Sequence, residues 1–196
     1  TTNWKLINQA GKEKIHFNIP KLEEVIGYKK DDKNSEAYIT HISQSGLGLP
    51  DQAYYTKTDE KSVEIQDAYK EHLSKIFALL GDENTSEKAQ KVYAIEESLA
   101  KISMTRVERR DPDLTYNKLS REELSTLTSN IDWETYFKTI GLNNVEHVIV
   151  GQVDFMKGLN NLLSSVTIED WKLYMRWKLI DTYASELSSD FVDQNF

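Results

Sequence analysis

The amino-acid sequence predicts a mainly α fold with a small β element near the N-terminus. Three observations carry that reading. Glycine and proline are scarce, at 8 and 3 in 196 residues, so long elements with few breaks are expected. Apolar residues recur at helical spacing through most of the chain after Pro50. Helix-start signatures stand in front of several of these stripes.

Two short stretches alternate in the manner of half-buried strands. KIHFNI (14–19) places Ile15, Phe17 and Ile19 on one face, and AYITHI (37–42) repeats the pattern less cleanly. They are expected to pair as a small ribbon, with EVIGYKKDDKN between them as a helical turn plus loop. SGLGLPDQAYY (45–55) ends the second strand, turns at the glycines and Pro50, and hands the chain to a helix beginning near Ser62. Tyr54 and Tyr55 are expected to pin that turn to the helices.

The stripe Ile65, Tyr69, His72, Leu73, Ile76 and Leu80 predicts the first long helix, stopped by Gly81. Asn84 with Glu87 reads as a capping box for the next, which carries Val92, Ile95, Leu99 and Ile102. That helix is expected to end near Arg109, because Pro112 disfavours helical backbone at Asp111. Ser120 with Glu123 opens a short helix to about Leu127, and Asp132 with Thr135 opens another that Gly141 closes. EHVIV (146–150) reads as a strand or buried extended segment. VDFMKGLNNLLSSV is helical, with Gly158 a weak point costing about 1 kcal/mol relative to alanine. Thr167 and Asp170 open the last helix, whose Trp171, Tyr174, Met175, Trp177, Leu179 and Tyr183 read as apolar nearly all round, predicting a central position. With no repeat, low-complexity tract or linker, residues 1–196 are expected to form a single helical domain.

Composition narrows the function classes. The chain is 39% hydrophobic and 29% charged. No run approaches the roughly 18 apolar residues that a membrane span needs, and no N-terminal stretch has the order of a signal peptide. Thr1 in place of an initiating methionine, and the apolar Phe196 at the other end, read as marks of a processed or cut chain. The net charge of −8 argues against nucleic acid, whose phosphates need clustered cations. The one dense basic run, RVERR (106–110), is interrupted by Glu108, is followed by Asp111 and Asp113, and reads as a solvated helix end. Without cysteine, disulfides, thiolate metal sites and a cysteine nucleophile are excluded.

The histidines are His16, His41, His72 and His147, and no two have the i, i+4 spacing with an intervening glutamate that a helical zinc site requires. Glu13 and His16 have Glu-x-x-His spacing, but Glu13 falls in a predicted strand and the remaining carboxylates of a di-iron set are missing. His72 lies on an apolar helix face and reads as a core-edge histidine. SGLGLP lacks the third glycine, the lysine and the immediately following helix of a phosphate cradle. Asn84-Thr85-Ser86 matches a glycosylation acceptor, a pattern common by chance. Residue chemistry therefore assigns no catalytic, cofactor-binding or metal-binding residue.

Three ordered segments are more specific than their physics. DDKNSEAYITHISQSGLGLPDQAYY (31–55) resembles the neprilysin-like zinc metallopeptidases, the family of neprilysin, the endothelin-converting enzymes and bacterial relatives, in its "DxKNS" turn, strand and "SGLGLPxxxYY" segment. ERRDPDLTYNKLS (108–120) resembles the family's "R-x-DP-x-x-x-YNK" segment, and WKLYMRWKLIDTYASELSSDF (171–191) its "W-x-x-Y-x-x-W" helix. The resemblance covers residues 28–196, and residues 1–27 match poorly.

It implies most of an N-terminal, non-catalytic helical lobe that roofs a central cavity and restricts entry to peptides. By that resemblance the partners are the catalytic lobe of the same polypeptide and the peptide substrates of the parent enzyme. Zinc and the His-Glu-x-x-His helix belong to the catalytic lobe. None of the family's catalytic or zinc-binding motifs maps onto a position here, so the chain alone is expected to be inactive and to hold no cofactor. Secreted animal members carry cysteines just after the Tyr-Tyr pair. TKTDEKSVEIQDAYKEHL has none, which points to a bacterial member in the cytoplasm or periplasm. The competing readings are a free-standing helical protein-interaction domain and, third, a helical di-metal enzyme. A cut lobe is further expected to expose the apolar surface that meets its partner, and so to dimerise or bind hydrophobic dye.

Overall fold

The structure, a computed structural model, describes residues 26–194. The strand expected at 14–19, with Glu13 and His16, lies outside the described residues. In chain order the first elements are β1 (Ile26–Asp31), β2 (Asn34–Ile42), α1 (Ala53–Thr56), α2 (Glu60–Leu79), α3 (Thr85–Lys101), α4 (Pro112–Thr115) and β3 (Asn117–Ser120). There follow α5 (Arg121–Leu127), α6 (Trp133–Thr139), β4 (His147–Val150), α7 (Val153–Ser165), α8 (Ile168–Tyr183) and α9 (Ser189–Asp193), with 3-10 turns at Glu108–Arg110 and Ala184–Glu186. The fold is mainly α with one small sheet, as the sequence predicts. Contacts divide it into two compact units. A sheet unit takes residues 26–45 and Ile102–Ser165, and a helical unit takes Gly46–Lys101 and residues 166–194.

In the sheet unit the strand order is β1-β2-β4-β3, with β2 and β4 parallel and the outer pairs antiparallel. Residues 26–31 are strand and not the expected helical turn plus loop. The Asp31 carboxylate accepts the Lys33 amide at 3.0 Å, an Asx-type turn that lets two residues reverse the chain. β4 is central, so Val148, Ile149 and Val150 are all buried and the strand reads as a continuous apolar run. The ladder continues beyond β2: the Gly151 amide donates to the Ile42 carbonyl at 2.8 Å, and the Gln44 amide to Gln152 Oε1 at 2.7 Å. The Gln44 side chain in turn takes both main-chain groups of Met104, at 3.0 and 2.8 Å.

That last pairing bears on a boundary. α3 ends at Lys101 and not near Arg109, because the Met104 amide goes to Gln44 instead of continuing the helical ladder. The RVERR run is accordingly an exposed turn and not a helix end. The expected starts at Ser120 and Asp132 are present: Ser120 and Glu123 form a reciprocal capping box, and Asp132 accepts the Thr135 amide. Beneath them, Leu124, Thr128, Trp133 and Phe137 are buried, and Trp133 Nε1 donates to Thr128 Oγ1 at 2.7 Å. On α7, a Cβ added to Gly158 would meet Ile102 Cδ1 and Cγ2 at 2.8 Å. Glycine there permits close packing, so the weak point of the helix is a tight contact in the fold.

In the helical unit, α2 and α3 form a hairpin whose facing surfaces bury Tyr69, Leu73, Ile76 and Phe77 with Ala89, Val92, Ile95 and Leu99. Asp59 caps α2, so the helix begins at Glu60, two residues before the expected start. Gly81 (φ +76°) ends it in a Schellman arrangement, its amide donating to Ala78 and that of Asp82 to Phe77. The expected Asn84–Glu87 box is not formed: Asn84 takes φ +53°, whereas a capping residue needs extended backbone. Thr167 does cap α8, accepting the Asp170 amide. α8 is not apolar all round. Trp171, Tyr174, Trp177 and Ile180 make one buried stripe, while Lys172, Arg176 and Tyr183 are exposed. Bidentate bonds from Arg176 to Asp82, at 2.7 and 3.1 Å, tie its polar side to the hairpin loop.

Candidate functional site

The most chemically loaded place in the helical unit is the segment Gly46–Leu49 and the carboxylate beneath it. Glu96 projects from the buried side of α3 and is fully buried. Its Oε2 accepts from the Tyr55 hydroxyl at 2.7 Å, the Tyr69 hydroxyl at 2.9 Å and the Gly48 amide at 3.2 Å, and its Oε1 accepts from Trp177 Nε1 at 3.2 Å. The Tyr55 oxygen itself accepts the Gly48 and Leu49 amides, at 3.0 and 2.8 Å. With its lone pairs so used, Tyr55 has its one proton to give to Glu96. From α8, Tyr174 donates to the Gly46 carbonyl at 2.6 Å and Lys178 to the Leu47 carbonyl at 3.4 Å. Lys178 is also buried and paired with Asp181 at 3.1 Å.

The glycines are required by this packing. A Cβ on Gly48 would overlap the Tyr69 hydroxyl, and Gly46 has φ +108° with the Tyr174 hydroxyl 2.7 Å from where a Cβ would stand. Burial pushes the Glu96 carboxyl above its ordinary range, against the pull of Lys178, Tyr55, Tyr69 and the Gly48 amide. Tyr55, Tyr69 and Tyr174 are raised by burial and then by the nearby Glu96 charge, so they are donors and not bases. This arrangement fastens a loop. Both carboxylate oxygens are engaged by donors from the loop and the helices around it.

The sheet unit has a counterpart. Asp31 Oδ1 accepts the Lys33 amide at 3.0 Å and the Tyr116 hydroxyl at 2.8 Å, and Oδ2 accepts Lys118 Nζ at 3.1 Å. Lys33 Nζ lies 4.3 Å above the Tyr116 ring. Asn117, between Tyr116 and Lys118, donates to the Leu114 and Val150 carbonyls at 2.9 and 3.0 Å. Asp31 is 3% exposed, yet it is covered by these partners and not by apolar core. The Lys33 amide, then Tyr116, then Lys118 outweigh the small cost of desolvation and hold its pKa at about 2.

Among the described histidines, His72 is buried at the core edge between the Tyr69 and Trp177 rings, and His41 and His147 lie on β2 and β4. Among the described residues no three side chains of histidine, aspartate or glutamate converge as metal ligands, so zinc finds no fitting donor set in them. Of the expected anchors, Tyr55 is buried and fastens the turn, while Tyr54 is exposed and joins the turn through its main chain, its amide donating to Asp51 and its carbonyl accepting from Gln66. The sequence does not single out Glu96, and Asp31 enters there only as the first residue of the DxKNS segment. Glu96 carries a signal nonetheless: it sits between Val92, Ile95 and Leu99, an acid on an apolar stripe.

Comparison with known proteins places these knots in context. The family model described as Peptidase family M13, for the N-terminal part, matches residues 1–196. Endothelin-converting enzyme 1 of Cavia porcellus is 31% identical over 173 residues, covering 85% of this chain and 22% of the relative. Endothelin-converting enzyme-like 1 of Rattus norvegicus is 30% identical over 166 residues, 82% of this chain and 21% of the relative. The crystal structure of Mycobacterium tuberculosis zinc metalloprotease Zmp1 in complex with inhibitor superposes with a TM-score of 0.81 at 34% identity, over 88% of this chain and 27% of that one. The chain thus spans about a fifth of the curated relatives it matches.

Proposed function

Since the chain belongs to peptidase family M13, we propose that it serves as the N-terminal, non-catalytic lobe of a zinc-dependent endopeptidase. In this reading it roofs a central cavity and limits the size of the peptides that enter. The family match across residues 1–196 carries the proposal. Two observations support it. The residues that carry the resemblance, Asp31, Tyr116 to Lys118, the Gly46–Tyr55 stretch and Trp171 to Trp177, are engaged in fastening loops. In this reading the metal belongs to the rest of the polypeptide; among the described residues no three candidate ligands converge.

The full-length protein tests this. Elemental analysis should find one zinc per polypeptide, chelation should abolish peptide cleavage, and short peptides should be cut while large folded proteins are spared. The 196-residue chain should bind no stoichiometric zinc. Zinc and cleavage in this chain alone would overturn the assignment of roles, and equal cleavage of large and small substrates would overturn the size limit.

A further inference from the structure

We infer that the exposed turn of residues 106–110 is a docking point for an acidic polypeptide segment, gripped by Arg109 and Arg110. The chain's five arginines are Arg106, Arg109, Arg110, Arg121 and Arg176. Arg176 is committed to Asp82, and Arg121 lies over the Phe137 ring and reaches the Asn143 carbonyl. Arg109 and Arg110 are exposed, and neither guanidinium has a hydrogen-bond or ion-pair partner among the described residues. That stands out in a chain with 32 acidic residues, where the lysines of α2, α3, α7 and α8 are largely paired to acids three or four positions away.

The turn is held in shape from both sides. The Thr105 amide and hydroxyl both donate to Glu108 Oε2 at 2.8 Å, and the Glu108 amide returns to Thr105 Oγ1 at 3.2 Å. The one acid inside the basic run is thereby folded back onto the main chain and does not neutralise the arginines. On the other side the Asp111 carboxylate accepts the Asp113 amide at 2.9 Å, with Pro112 opening α4. Little ordering is left to be done on binding, which favours affinity. Beside the arginines stand Val107, 77% exposed, and Leu114, 46% exposed. Two free guanidinium forks beside exposed apolar side chains match carboxylates that flank an apolar residue. The overall charge of −8 opposes the approach of any long polyanion, so the attraction is local to the two guanidinium groups and suits a short acidic segment that only they contact. This inference stands independently of the peptidase reading.

The test is fluorescence anisotropy with a labelled peptide containing Glu-Glu-Leu-Glu-Glu, run against its glutamine counterpart and a single-stranded oligonucleotide. Binding is expected for the glutamate peptide alone and should weaken with added salt. The double variant R109A/R110A should lose about tenfold or more, the scale of a charge-assisted pair, and V107S should lose less. Circular dichroism and melting should be unchanged in both variants, since neither arginine has an internal partner. Undiminished binding by R109A/R110A, equal binding of the glutamine peptide, or preferential binding of the oligonucleotide would each overturn the inference.

Discussion

The two units fasten a loop with the same parts, a carboxylate, a tyrosine hydroxyl, a backbone amide and a lysine, yet the two carboxyls are driven in opposite directions. Asp31 meets its partners near the surface, where Lys118 reaches in from solvent, and its pKa falls to about 2. Glu96 meets a richer set of donors but lies wholly inside the helical unit, and burial wins over them. Hydrogen bonds and lysines stabilise the charged form in both places. What differs is the water each carboxylate gives up, and desolvation grows faster with depth than a few donors can offset. A carboxylate knot is therefore a simple stabiliser at a rim. In a core it is a demanding structure that fixes one arrangement of its neighbours.

The comparison breaks most visibly with E96A, which leaves the Tyr55 hydroxyl proton and Trp177 Nε1 without their acceptor in the core. Its expected cost is about 3–5 kcal/mol by urea unfolding, with D31A costing clearly less. Equal losses would refute the depth argument. If E96A fails to fold, E96Q serves: its amide must face a donor, so it too should destabilise despite equal volume.

Next come the glycines. G48A should cost about 1–3 kcal/mol through the overlap with Tyr69, and Y69F should recover part of it by removing the obstructing hydroxyl. G158A should also destabilise, although helix propensity alone predicts a gain of about 1 kcal/mol; a gain in melting temperature would show that Ile102 yields.

Acid and base separate the knots more gently. Asp31 is held below its ordinary 3.8, so its contribution is complete above about pH 4 and is lost as pH falls toward 2. Glu96 is held above its ordinary 4.5, so the folded chain keeps that proton more tightly than the unfolded one. Its contribution is complete at low pH and is lost as pH rises through the folded-state value. Stability measured against pH should therefore lose its acid-side slope in D31N and its opposite slope, on the less acid side, in E96Q. The smallest effect belongs to Y116F, below about 1 kcal/mol for one hydrogen bond near the surface, with faster hydrogen exchange confined to the hairpin turn.

Local signals suffice wherever short-range chemistry decides. The caps at Ser120, Asp132 and Thr167 and the stops at Gly81 and Gly141 needed only residues within one turn. They failed at Asn84, where the loop imposes a left-handed backbone. β1 and β3 leave no clear trace in the sequence because neither alternates cleanly, and their strand character comes from the neighbours β2 and β4. The loop-fastening role of Tyr55 was legible, but its acceptor 41 positions away was not.

The sequence by itself determined the helical class, the family, the missing metal motifs and the helix starts and stops that lie within a few residues. Tertiary structure alone decided what Glu96, Asp31, Gln44 and Gly158 do. Their partners, Gly48, Tyr116, Met104 and Ile102, lie between 48 and 85 positions away along the chain and, for Gly158, at the far side of a helix contact. A carboxylate's charge cost and a glycine's steric value depend on what surrounds them, and spacing along a chain does not contain that information.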